Sequence, residues 1–172
     1  EPGDDLVALI DEALAATGEQ LLADDVIVIA QKIISKAEDR YLDLRTVTPT
    51  EEAIRLGEEV DKDPRKVQAI LDESNEIVRQ RPGVLIVEQR SGFVQANAGI
   101  DQSNIRLGDG DPDDLCLLLP IDSDASAQRL HTTIRERHNL EVGIIINDSL
   151  GRAWRMGTLG LAIGVAGFTA LE

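Results

Sequence analysis

Apolar residues recur at helical spacing over the first turns of the chain, with Leu6, Leu9, Ile10, Ala13 and Leu14 forming one stripe. Asp4 or Asp5 stands ready as its N-cap. After Asp24-Asp25 the pattern changes: Val26-Ile27-Val28-Ile29 reads as a strand. Ala30–Arg40, AQKIISKAEDR, returns to helical spacing, with Lys32 and Lys36 on one face and Ile33 and Ile34 on another. Thr48-Pro49-Thr50-Glu51-Glu52 predicts a helix start, and Asp63-Pro64 predicts a second. From there Val67, Ile70, Leu71, Ser74, Ile77 and Val78 keep helical spacing as far as Arg79, and Pro82-Gly83 is the expected stop. Val84–Glu88 reads as a strand that Ser91-Gly92 turns back into Phe93-Val94-Gln95. Leu115–Leu119 is a strand closed by Pro120. Ser123 or Asp124 then caps a helix with Ala127, Leu130 and Ile134 inward and His131 and His138 at the surface. Val142–Asn147, with Ile144–Ile146 at its centre, has the composition of a strand buried on both faces. Gly160–Gly167 is Gly/Ala-rich and apolar, which suits close backbone packing. The irregular alternation of strands and helices predicts an α+β fold, a mixed β-sheet with flanking helices.

Composition narrows the function. The 172 residues suffice for one domain, or for two small intertwined ones, with a real core. No apolar run approaches a membrane span, and the polar, acidic start is no signal peptide, so a cytoplasmic setting is expected. A net charge of −15 repels phosphates wherever it is not locally reversed, which argues against nucleic-acid binding. Only four of the seventeen basic residues are lysines, so their placement carries information. Cys116 is the one cysteine, set among leucines, and reads as a buried small hydrophobe. With two histidines and one cysteine, a Cys/His metal site is excluded by count.

Three stretches carry candidate chemistry. In Val142–Gly157, VGIIINDSLGRAWRMG, a buried strand runs into Asp148 and Ser149, then Gly151, Arg152 and Arg155. A carboxylate and a hydroxyl beside a glycine turn and two guanidiniums can hold a divalent cation and an anionic oxygen together. A salt-bridged turn closing a strand uses the same residues. In the second stretch, Lys32 and Lys36 fall one turn apart on a helix that starts at a strand end, an anion site unless Glu38 or Asp39 pairs with them. The third, Ala96–Asn104, offers small residues and then Asp101, Ser103 and Asn104 as hard oxygen ligands and amide donors. The Asp-Gly-Asp run in Leu107–Asp114 lacks the spacing of a calcium loop. There is no dinucleotide or Walker-type glycine fingerprint.

In this order the stretches become specific. The chain resembles the coenzyme F-420:L-glutamate ligase family, the gamma-glutamyl ligases of deazaflavin cofactor biosynthesis. The resemblance runs through Pro2-Gly3-Asp4-Asp5-Leu6, Gln31–Glu38, Glu73-Ser74, Gly92-Phe93-Val94, Ala96–Asn104, Leu119-Pro120, Asp124–Ala127, Asp148–Arg155 and Ala162–Gly167. It implies a gamma-glutamyl ligase-like fold in an intertwined homodimer. It also implies a GTP-dependent ligase that adds L-glutamate to the deazaflavin precursor through an acyl phosphate. By that resemblance Asp101 and Asp148 bind divalent metals (magnesium or manganese), with the Ser149 hydroxyl on a second one, and potassium is a further candidate ion. Gln31, Lys32, Lys36 and Asn104 hold the nucleotide. Arg152 or Arg155 faces the transferred phosphoryl group or a substrate carboxylate, and Trp154 is packing. The reading requires the carboxylates of Asp101 and Asp148 to converge.

Departures from the family pattern are specific too. Residues 1–172 read as the N-terminal and central part of such a domain. The short Gly-hydrophobic-Pro-acid segment usual before Pro2-Gly3 is absent, and so is the usual continuation past Glu172. Asp39 stands where Gly is usual before Arg40, and Ser149 where Thr is common. Two other functions fit the same residues: a nucleotide- or metal-binding module without ligase activity, and a ligase of the same chemistry acting on another carboxylate.

Overall fold

The computed structural model describes residues 1–103, 105, 114–151 and 156–169. The chain divides into two compact units. The first takes the described residues of Glu1–Arg40, Leu119–Ser149 and Leu159–Glu172; the second takes those of Tyr41–Leu118 and Leu150–Thr158.

The first unit is built on a three-stranded sheet in the order β1-β7-β8. Strand β1 (Val26–Ala30) pairs in parallel with β7 (Gly143–Gly151), from Val26 against Gly143 to Ala30 against Asn147. Strand β8 (Thr158–Ala166) flanks β7 on the other side. Gly167 lies against Val142 and Gly160 against Asn147, so β8 runs opposite to β7 and the sheet is mixed, as expected. Helix α1 (Leu6–Thr17) starts at Asp5, whose carboxylate accepts from the N–H groups of Val7 and Ala8. It lies against α5 (Ser123–His138), where Arg137 pairs with Asp5 and Asp11. Helix α2 (Gln31–Ala37) follows β1 without a gap.

Helix α5 ties the unit together at its N-terminus. Asp122 accepts from the Ala125 N–H, and Asp124 accepts from Val165 of β8 at 2.9 Å. Gly164 lies so close that a Cβ there would sit 2.4 Å from the Ser123 carbonyl oxygen. Glu38, just past α2, accepts from Ser126 at 2.5 Å and from Arg129. The tight packing expected of the Gly/Ala-rich segment is therefore β8 pressed onto the start of α5.

Among its described residues the second unit has two antiparallel sheets and two α-helices. Helix α3 (Glu51–Val60) is capped by Thr50, and α4 (Pro64–Asp72) by Asp63 with Pro64 at its first position. Strands β3 (Ser74–Arg81), β4 (Val84–Gln89) and β5 (Val94–Ala96) form one sheet. Strand β2 (Tyr41–Asp43) pairs with β6 (Leu115–Leu117) in the other. Leu56, Val60, Val67, Ile70, Leu85, Val87 and Cys116 are among the residues of its core.

Several expectations from the pattern are corrected. The helix predicted to reach Arg79 ends at Asp72, and Ile77 and Val78 belong to β3. Pairing with β4 shifts register between Ser74 and Glu76 and again between Ile77 and Arg79, and these bulges break the two-residue alternation that marks a strand. Pro82-Gly83 is therefore a hairpin turn, with Gly83 at φ 77° and its N–H donating to the Val60 carbonyl. On α1 the buried residue is Val7, while Leu9 and Ala13 face solvent. Strand β7 is buried on one face: Ile144 and Ile146 are fully covered, but Ile145 is only partly so, and Val28 beside it on β1 is 61% exposed. The cap of α5 is Asp122, one residue before Ser123. His131 is not a surface residue; it is 6% exposed, its Nδ1 lying 2.9 Å from the Val142 carbonyl oxygen. A carbonyl only accepts, so Nδ1 donates and ties α5 to the entry of β7.

Candidate active site

The first unit brings two of the three chemical stretches to one edge of one sheet. Ala30 ends β1 and pairs with Asn147 of β7 in parallel register. Gln31, Lys32 and Lys36 on α2 therefore leave the same end of the sheet as Asp148 and Ser149. The carboxyl ends of adjacent parallel strands, where the following segments diverge, are where open α/β sheets place ligands. Gln31 is buried, and its side-chain oxygen accepts from Ser35 at 2.9 Å within the helix. Lys32 and Lys36 are half-buried. Glu38, one of the expected lysine partners, accepts from Ser126 and pairs with Arg129.

Asp148 and Ser149 do not open a loop. Strand β7 continues through them to Gly151, which has no left-handed backbone, so the expected glycine turn at Gly151 is absent. The Ser149 N–H donates to Asp148 Oδ1 at 2.8 Å. As neighbours in a strand, the two side chains project to opposite faces. A carboxylate and a hydroxyl so arranged suit two separate ions better than one shared ion. Arg152, Trp154 and Arg155 lie outside the described residues.

The third stretch is held in the second unit. Asp101 exchanges both backbone hydrogen bonds with Leu117 of β6, donating at 3.0 Å and accepting at 2.8 Å. Its Oδ1 accepts from the Ser103 N–H at 2.6 Å. Just before it, Asn97, Ala98 and Gly99 are three successive left-handed residues with φ of 54°, 54° and 73°. That conformation is costly for alanine, and here it is locked by the burial of Ala98. Asn104 lies outside the described residues.

The pattern did not single out Lys66. Its Nζ donates to the Gln102 side-chain oxygen at 2.5 Å, next to Asp101. Burial pushes its ammonium below the ordinary lysine value, while the nearby carboxylates of Asp101 and Asp63 pull the other way. The available signal was that the other two lysines, Lys62 and Lys66, also stand four apart. Cys116 is the buried small hydrophobe expected, and burial pushes its thiol up to about 11.

Among the described residues no three His, Cys, Asp or Glu side chains gather to hold a metal ion. Asp101, Asp148 and Ser149 nevertheless supply hard oxygen donors, the type that magnesium and manganese take together with water and phosphate oxygens. No described helix is long and apolar enough to cross a membrane.

The fold and this edge define the chain as an α+β protein with lysines and a carboxylate at the carboxyl ends of paired parallel strands. A family model, F420-0:Gamma-glutamyl ligase, matches residues 1–172, and the chain belongs to that family. It is 44% identical over 169 residues to the coenzyme F420:L-glutamate ligase of Methanothermobacter thermautotrophicus, covering 98% of this chain and 65% of that protein. The proteins of the same name from Methanopyrus kandleri and Haloarcula marismortui are 42% and 38% identical, again over nearly all of this chain. The chain spans 63% of the length of each of these two.

Proposed function

We propose that the chain carries nucleotide- and metal-binding elements of a GTP-dependent ligase that adds L-glutamate to the deazaflavin precursor of coenzyme F420. The observation that carries the reading is the β1–β7 register, which brings Lys32 and Lys36 to the same sheet edge as Asp148. The names of the family and of its relatives support glutamate and the F420 precursor as substrates. In the proposed reaction the precursor carboxylate attacks the γ-phosphorus of GTP, and GDP leaves. The resulting acyl phosphate is then displaced by the amine of glutamate, which loses a proton as the amide forms and phosphate departs.

Such a transfer needs alignment and charge neutralisation more than covalent help. Lys32 and Lys36 neutralise phosphate oxygens, and Asn104 and the Gln31 backbone orient the nucleotide. Arg152 or Arg155 takes the equatorial charge of the phosphoryl group or a substrate carboxylate. Asp101, Asp148 and Ser149 are the proposed holders of magnesium or manganese, which when bound adds positive charge beside the phosphates; potassium stays a candidate further ion. The reading includes a cytoplasmic homodimer, and the exposed Val26 and Val28 on β1 offer an apolar surface for a partner to cover.

The test is substitution of each carboxylate. Asp101→Asn and Asp148→Asn each lower manganese-dependent GTP turnover by roughly 100-fold or more, with circular dichroism and the melting curve little changed. Undiminished glutamate addition in both variants would refute the assignment.

A further inference from the structure

Lys66 has no part in the ligase reading so far, and its setting is unusual for a lysine. It sits in the first turn of α4 and is half-buried, on a helix that places Val67 and Ile70 in the core. Lysines are seldom withdrawn from water unless the ammonium has a partner. Here the partner is the Gln102 side-chain oxygen at 2.5 Å, thirty-six residues away in sequence. Gln102 lies between Asp101, which the β6 bridge holds by its backbone, and Ser103, whose N–H holds the Asp101 carboxylate. The segment is thus pinned at Asp101 from one side and at Gln102 from the other.

We propose that Lys66 is a positioning residue: by gripping Gln102 it fixes how the Ile100–Ser103 segment presents the Asp101 carboxylate to its metal ion. The inference rests on the ligase reading for the metal, but not for the grip itself. Side chains that orient a ligand from behind govern metal affinity even though they touch no metal.

The two possible effects of Lys66 have opposite signs. If it acted only through its charge, removing a cation beside Asp101 would tighten binding of a divalent cation. As a positioning residue, its removal weakens binding. The experiment compares Lys66→Met, Gln102→Met, the double variant and Lys66→Arg in the intact protein, with two readouts. Hydrogen exchange over residues 100–103 accelerates about tenfold in Lys66→Met and in Gln102→Met, no further in the double variant, and little in Lys66→Arg, which keeps the donor. Exchange in β4 serves as the control for global destabilisation and stays as in the wild type. Manganese binding, followed by its paramagnetic resonance signal without substrates, weakens about tenfold in the same variants.

Unchanged exchange over residues 100–103, additive effects in the double variant, or tighter manganese binding in Lys66→Met would overturn the proposal. An Asp101→Asn control separates the two levels. If that variant binds manganese like the wild type, the metal assignment fails, and the exchange data alone decide whether Lys66 holds the segment.

Discussion

Asp39 is left-handed, with φ of 53°, and follows the end of α2 at the position where the family resemblance leads one to expect glycine. The departure noticed in the sequence thus has a backbone meaning: the position asks for a conformation that glycine adopts freely. Asp39→Gly is expected to raise stability by about 0.5–1 kcal/mol, the left-handed cost relieved less the extra freedom of an unfolded glycine, as read by urea unfolding. Cys116 makes a second residue-level prediction. Its buried thiol titrates near 11 rather than 9.0, so the reactive thiolate is scarce at pH 8. Iodoacetamide at pH 8 should leave it unlabelled in the folded protein and label it fully in urea. Because its folded value is raised, its contribution to stability is intact below about pH 9 and is lost as the pH climbs towards about 11. Lys32, Lys36, Asp148 and Ser149 stood out in the sequence because each lies within a few residues of a β-branched apolar run. Lys66 was not, because its partner Gln102 is remote in sequence and only the fold brings the two together.

At the scale of elements, the strands around the candidate site were readable from their β-branched runs, and two helix starts from Asp63-Pro64 and from Thr50 followed by Glu51-Glu52. Strand β3 was not. Its two bulges destroy the alternation, and its apolar residues Ile77 and Val78 happen to continue the spacing of α4. The burial of His131 was equally hidden, since the carbonyl that receives it belongs to Val142, beyond the end of its own helix. The join between β8 and α5 is an exacting contact in the first unit. Gly164→Ala would drive a methyl group into the Ser123 backbone and is expected to cost about 1–3 kcal/mol. Asp122→Ala, which removes the cap of α5, should cost about 1 kcal/mol. Urea unfolding of the two variants checks both, and a Gly164→Ala protein as stable as the wild type would contradict the packing described.

For the molecule as a whole, the carboxylates most clearly shifted are those paired with arginine. Arg45 holds Asp43 down to about 2, while Arg137 and Arg65 hold Asp5 and Asp63 below the usual range. Their folded values are depressed, so what they add is present above the unfolded value of 3.8 and is lost as the pH falls through the folded one. The melting temperature should therefore drop between about pH 4 and pH 2, and the drop should be smaller in Asp43→Asn; because these pairs are exposed, each contributes little. The ligase reading is most directly tested on the product. Intact protein is incubated with GTP, manganese, L-glutamate and the deazaflavin precursor, and the mixture is read by mass spectrometry. The account predicts precursor heavier by one glutamate residue, formed only when GTP and the metal are both present, together with GDP and phosphate. GTP turnover with no glutamate added, or glutamate added without GTP, would contradict it.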